Sequence, residues 1–198
     1  MRNIVFDLGN VLVRFRPEQD LAGYYSEDDV AFLLDAVFRT PEWIELDRGT
    51  LTDEEATAAF AARHPGQAAL IRECMAARHR LLTPIAGSVA LLAPLKRRGY
   101  GLYYLSNYHA SLFEIAERDF AFLELFDGGV ISSHVRRLKP EPAIYGMLLE
   151  RCGIRAEESL FIDDTPANVD GARAAGLQTL LLEDPGQLEA ALTEQGIL

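Results

Sequence analysis

Four short polar clusters carry the chemistry of this 198-residue chain. Asp7 follows the apolar run Ile4-Val5-Phe6, and Ser106-Asn107 follows Leu102-Tyr103-Tyr104-Leu105. Asp163-Asp164 follows Leu160-Phe161-Ile162, and Lys139 opens the stretch Lys139-Pro140-Glu141-Pro142. Carboxylates delivered from two strands suit a hard cation. Mg²⁺ takes oxygen ligands and keeps several waters, so a few carboxylates plus a substrate phosphate are enough to hold it. Asp7, Asp163 and Asp164 bring three negative charges, which Mg²⁺ and one lysine would offset. Seventeen of the nineteen cations are arginines, and the only lysines are Lys96 and Lys139. A lysine at 139 in such a chain reads as a compact point charge rather than a planar fork. Asp, Asn and Ser also favour turns, so each cluster alone is ordinary strand-end chemistry. Four of them in this order point to one site.

The elements that must position these groups are legible around them. The three runs are short, apolar and rich in β-branched or aromatic residues, with turn residues straight after, as expected of buried strands. Val130-Ile131 and Thr179–Leu182 are two further strand candidates. Helical patterns alternate with them: one around Val89, Leu92 and Lys96, one from Pro142 to Cys152 stopped by Gly153, and one from Pro166 to Ala175 stopped by Gly176. This alternation predicts an α/β fold, a Rossmann-like parallel sheet with helices on both faces. In an open parallel sheet, ligands bind outside the carboxyl ends of the strands, where all the polar clusters fall.

Residues 18–82 break the alternation. Ser26 before Glu27, Thr40 before Pro41, and a Thr52/Glu55 capping box mark three helix starts, and no strand pattern intervenes. This predicts an all-α insertion over 17–83, with the α/β core formed by 1–16 and 84–198. Its hinges are expected at 14–17 and 80–87.

Composition narrows the class. Thirty acidic residues against nineteen basic give a net charge of −11, which argues against nucleic acid as a partner. Twelve acids and only two bases fall within 18–55, so the predicted core is nearly neutral. An acidic insertion makes a polyanionic substrate less suitable than a small one with a single phosphate. No run approaches the apolar length of a membrane span, and Asp7 interrupts the first apolar run, unlike a signal peptide. Cys74 and Cys152 have neither metal-site nor disulfide-framework spacing, so a cytoplasmic setting is expected. Nothing in the sequence fixes an oligomeric state.

The ordered motifs resemble the haloacid dehalogenase-like hydrolase superfamily. Phe6-Asp7-Leu8-Gly9-Asn10-Val11-Leu12 looks like its first motif, Leu105-Ser106-Asn107 its second and Lys139-Pro140-Glu141-Pro142 its third. Phe161-Ile162-Asp163-Asp164, with Gly171-Ala172 and Ala175-Gly176, looks like the fourth. The insertion sits where subclass I places its helical cap, and the Asp-Leu-Gly-Asn-Val form is closest to the glucose-1-phosphate phosphatase-like branch. The resemblance implies that Asp7 attacks phosphorus and becomes an aspartyl-phosphate, which water hydrolyses. It implies that Ser106, the Asn107 backbone and Lys139 hold phosphate oxygens. Mg²⁺ would be held by Asp7, the Gly9 carbonyl and the Asp163-Asp164 pair, with Asp164 the more direct ligand.

One departure matters. Family phosphatases usually carry a second Asp, as general acid and base, two residues after the nucleophile, and here that position is Gly9. General acid–base assistance typically contributes about 10²–10⁴-fold, so its loss suits a fairly good leaving group such as an anomeric sugar oxygen. The resulting expectation is a Mg²⁺-dependent phosphatase acting on a small phosphorylated metabolite, such as a hexose 1-phosphate. Two alternatives stand beside it: a phosphometabolite-binding protein that exploits the missing acid, and a 2-haloacid dehalogenase, which needs no acid there but also no metal.

In the insertion, a loop over the core site could place Arg48 or Asp47 against the substrate's leaving group; of the two, Asp47 reads more readily as a surface salt link at a helix end, and Trp43 reads as local core. Arg14 and Arg16 are candidates to face the cleft. Tyr145 reads as core packing. His109 is expected on the helix after Asn107, as no obvious substitute for the missing acid.

Overall fold

A computed structural model describes residues 1–198. Seven strands run in chain order: β1 (Asn3–Phe6), β2 (Val13–Arg14), β3 (Thr83–Pro84), β4 (Gly101–Ser106), β5 (Gly128–Ile131), β6 (Ser159–Asp163) and β7 (Gln178–Leu181). Five of them form one sheet in the order β5-β4-β1-β6-β7, and every pairing is parallel. The two-residue periodicity of a strand sends alternate side chains to opposite faces. Ile4 and Phe6 therefore enter one apolar cluster with Leu92, Leu95 and Leu102, while Val5 enters another with Ile144, Tyr145 and Phe161. Burial on both faces explains why these strands read as continuous apolar runs.

Helices cover the sheet: α5 (Ala86–Arg97), α6 (Ala110–Asp119), α7 (Pro142–Cys152), α8 (Pro166–Ala174) and α9 (Leu188–Glu194). They follow four helices of the insertion, α1 (Glu27–Leu33), α2 (Pro41–Arg48), α3 (Asp53–Arg63) and α4 (Ala68–Ala77). The insertion has its own apolar cluster, with Leu33, Trp43, Leu46, Phe60, Ile71 and Met75 at its centre. Ser26, Thr40 and Thr52 each accept a backbone N–H at a helix start, and Thr52 and Glu55 form the reciprocal capping box. Where the chain leaves and re-enters the core, β2 and β3 pair antiparallel, Val13 opposite Pro84 and Arg14 opposite Thr83. This two-residue ribbon ties the connections together at a point the sequence marks only as hinges. Arg14 does not face the cleft; its guanidinium lies 3.0 Å from Asp20.

Candidate active site

β1 lies at the centre of the sheet between β4 and β6, so three strand ends meet side by side. Phe6 is level with Tyr104 on one side and Ile162 on the other, which sets Asp7 level with Leu105 and Asp163. Ser106 closes β4 at the same edge, 1% exposed. The expected convergence is thus a consequence of register.

Lys139 arrives from the connection between β5 and α7. Its Nζ lies 2.9 Å from Asp7 Oδ1 and donates to Asp163 Oδ2 at 2.6 Å. Burial alone would depress this amine, but the charges of Asp7 and Asp163 more than reverse that, and it stays ammonium. The Asn107 side chain fixes the lysine's backbone. Asn107 Oδ1 accepts from the Lys139 N–H at 2.8 Å, and Asn107 Nδ2 donates to the Lys139 carbonyl at 3.1 Å. The amide is consumed in this pairing, so any phosphate contact from Asn107 falls to its main chain.

The two adjacent aspartates are placed differently. Asp163 is fully buried, and its carboxylate accepts from Lys139, from the Thr165 N–H at 2.8 Å and from Asn168 Nδ2 at 3.0 Å. It braces Lys139 against the start of α8. Asp164 accepts only the Thr165 hydroxyl at 3.2 Å and an Asn10 hydrogen bond. Asn10, at φ 51°, turns the chain sharply after Gly9 and accepts the Phe15 N–H at 3.1 Å.

Ligand atoms of Asp7, Asp163 and Asp164 all lie within 4.8 Å of one another. Three carboxylates against one ammonium leave the cluster short of positive charge. Burial, opposed by Lys139 and reinforced by Asp163, pushes the Asp7 carboxyl up to about 6. Burial and the charge of Asp163 raise Asp164 as well. An all-oxygen, net-negative, partly open donor set fits a divalent hard cation.

Two insertion residues differ from expectation. Arg48 does not reach the carboxylate cluster. Its guanidinium donates to Glu141 at 2.7 Å and lies 3.6 Å from Glu45, so it links the insertion to the loop that follows Lys139. Asp47 is no surface salt link. It lines a cavity with Gly9, Phe15, Trp43, Asn107 and His109, and its Oδ1 is 3.3 Å from His109 Nε2. Its side chain is 24% exposed, but its carboxyl is sunk deeply enough that burial, with the charge of Asp7 added and that of Lys139 opposing, pushes it up to about 7. His109 sits at the cap of α6 rather than along it, is 2% exposed, and packs against Trp43 with the rings tilted at 57° and their centroids 4.3 Å apart. Burial, with Arg78 adding to it, holds the imidazole down at about 3, so it is neutral. The only sequence signal for Asp47 is its place just before the Gly49 helix stop. Nothing local reveals which residue across the fold it meets.

Gly49 explains the approach. It ends α2 in the left-handed conformation, φ 75°, and a Cβ there would overlap the Ser133 backbone. The Ser132 hydroxyl donates to the Asp47 carbonyl and accepts the Tyr108 N–H at 2.9 Å, joining the end of α2 to the loop after β4.

The chain is similar to known proteins over most of its length. A family model described as haloacid dehalogenase-like hydrolase matches residues 1–176. A sesquiterpene phosphatase from Aspergillus oryzae is 28% identical over 91% of this chain and 89% of its own length. A drimenol cyclase from Aspergillus calidoustus is 27% identical over 98% of this chain, which spans only 36% of the cyclase. Among solved structures, a family enzyme from Bacteroides thetaiotaomicron, in complex with magnesium and inorganic phosphate, superimposes with a TM-score of 0.69 at 24% identity. That match covers 91% of this chain and 93% of the other. No helix is long and apolar enough to cross a membrane.

Proposed function

The chain belongs to the haloacid dehalogenase-like hydrolase family, and from that premise we propose that it is a Mg²⁺-dependent phosphatase of small phosphomonoesters, with residues 17–83 capping a core of 1–16 and 84–198. The observation that supports this most is the meeting of Asp7, Lys139 and the Asp163-Asp164 pair at adjacent ends of parallel strands. Asp7 is the nucleophile. Its Oδ1 is held by the Leu8 N–H at 2.7 Å and by Lys139, which orients the carboxylate and keeps it ionised. The Lys139 ammonium, the Ser106 hydroxyl and the Asn107 main chain bind phosphoryl oxygens. Asp7, the Gly9 carbonyl and Asp164 hold the cation, and Asp163 acts chiefly by placing Lys139. Bound Mg²⁺ supplies charge neutralisation between the carboxylate and the incoming phosphate. The remaining catalysis is positioning and electrostatic stabilisation, because phosphoryl transfer asks little covalent chemistry of a protein.

The substrate's leaving group would occupy the cavity between core and cap. Its walls are mainly apolar, Val13, Phe15, Trp43, Leu82 and Leu112 among them, with the polar side chains of Asp47, Asn107, Tyr108 and His109 between them. This favours a leaving group with an apolar face over the hexose 1-phosphate expected from sequence alone. A phosphate-release panel of hexose 1-phosphates, prenyl phosphates and aryl phosphates, with Mg²⁺ and with chelator, tests the proposal. Metal-dependent turnover, higher on the apolar esters, is the expected result. Turnover undiminished in chelator contradicts the metal assignment, and metal-independent chloride release from a 2-haloacid would establish the dehalogenase reading instead.

A further inference from the structure

Transfer of a phosphoryl group to Asp7 leaves an alkoxide that needs a proton, and hydrolysis of the aspartyl-phosphate needs a water that loses one. Gly9 offers no side chain for either task, and Lys139 is locked between two carboxylates. One acidic side chain remains on the cavity wall beside Gly9, and it comes from the cap. We propose that Asp47 is the proton-transfer residue of this site, donating to the departing oxygen and then accepting from the attacking water; this rests on the phosphatase reading above.

Several independent features place it there. Asp47 and Gly9 line the same cavity, together with Asn107 at the phosphate-binding end. A nucleophile at the sheet edge drives the leaving oxygen out on the opposite side, toward the cap. The end of α2 is fixed by the Gly49 approach to Ser133 and by the Ser132 bridge to Tyr108, so the Asp47 main chain is tied to the core through its own carbonyl. His109 is buried with neither ring nitrogen in a regular hydrogen bond, and its Nε2 lies 3.3 Å from Asp47 Oδ1. The charged and titratable groups facing Asp47 are His109 from α6, Asp7 after β1, Lys139 from the loop before α7, and the Tyr108 hydroxyl. Burial, the largest influence on Asp47, holds its carboxyl near neutrality, the range in which a group can both give and take a proton.

The steps balance. The Asp7 oxygen forms its bond to phosphorus as the bond from phosphorus to the leaving oxygen breaks, and the Asp47 proton passes to that oxygen. Water then attacks phosphorus and gives a proton to Asp47, and the Asp7–phosphorus bond breaks. Inorganic phosphate leaves, with Asp7 ionised and Asp47 protonated as at the start.

The experiment uses the full chain with Mg²⁺ and two substrates, an alkyl phosphate whose leaving oxygen needs protonation and p-nitrophenyl phosphate whose leaving oxygen does not. Asp47→Asn is expected to lose about 10²–10⁴-fold on the alkyl ester. On the aryl ester it should give a burst of one nitrophenolate per enzyme, followed by slow turnover as the phosphoenzyme accumulates. Adding Gly9→Asp should recover at least tenfold of the alkyl turnover. A Cβ at Gly9 meets nothing closer than Asp7 Oδ2 at 3.9 Å, so the backbone there accepts a side chain without a clash at its first carbon. Circular dichroism and inorganic phosphate affinity serve as folding controls, and Asp47→Ser replaces the amide if that variant unfolds. Turnover within threefold of the parent on both esters overturns the proposal. So does an equal loss on both without a burst and without rescue by Gly9→Asp. A parent protein inactive on every phosphate ester overturns the phosphatase reading itself, and this proposal with it.

Discussion

Asp7→Asn is expected to abolish phosphate release, lowering kcat by about 10⁴-fold or more while leaving inorganic phosphate binding within a few-fold of the parent. An amide has the same shape but is not a nucleophile, and removal of a nucleophile is among the largest single effects in enzyme variants. The surroundings are set to tolerate the change. Lys139 keeps its 2.6 Å bond to Asp163 and so stays charged and in place, and the Leu8 N–H can still donate to the amide oxygen. The fold should therefore survive, and steady-state turnover with parallel phosphate titration separates chemistry from binding. A loss of only about tenfold would move the nucleophile away from Asp7.

Lys139→Met is expected to damage both activity and the fold. The ammonium is the sole cation between two buried carboxylates, and its side chain is 1% exposed. Removing one partner of a buried ionic cluster typically costs about 3–5 kcal/mol, because the remaining charges stay buried and unpaired. For a chain of this length that corresponds to a fall in Tm of about 6–20 °C without metal. Mg²⁺ should restore part of it, because a divalent cation relieves the same excess of negative charge. Catalysis should fall by about 10²–10³-fold even with saturating Mg²⁺, as when a fixed charge at a transition-state oxyanion is lost. Lys139→Arg should rescue neither property well, because a planar fork cannot replace a point charge held by two convergent oxygens. Thermal unfolding with and without Mg²⁺, followed by turnover, reads both effects. An unchanged Tm in the metal-free variant would contradict the charge accounting.

The core of the site was legible because a parallel sheet converts sequence position into spatial position. Once Ile4–Phe6, Leu102–Leu105 and Leu160–Ile162 are read as buried neighbouring strands, their polar successors must share one edge. The division of labour within Asp163-Asp164 was not legible. It depends on Asn168 and the Thr165 N–H, which reach Asp163 only once α8 has packed beside β6. Which of Arg48 and Asp47 lines the cavity was not legible for a similar reason. Adjacent residues at a helix end point in different directions, and only the closure of cap on core decides which faces the cavity. That closure depends on Gly49 against Ser133 and on Arg48 against Glu141, contacts separated by more than eighty residues. The sequence around His109 suggests an ordinary helix position, whereas the residue caps α6 and its ring meets Trp43 of the insertion, a contact no local pattern reveals. The acidic surplus of 18–55 belongs chiefly to exposed helix starts such as Glu27-Asp28-Asp29, and Asp47 is its one member on the cavity wall.

The central claim is that Asp7 itself carries the phosphoryl group. Acid quenching during turnover, borohydride reduction and peptide mass spectrometry test it directly, because reduction converts an aspartyl-phosphate to homoserine. Homoserine at position 7, formed only with phosphate ester and Mg²⁺ present and absent from Asp7→Asn, is the result this account predicts. Active turnover with an unmodified Asp7, or with homoserine at position 163 or 164 instead, would contradict it.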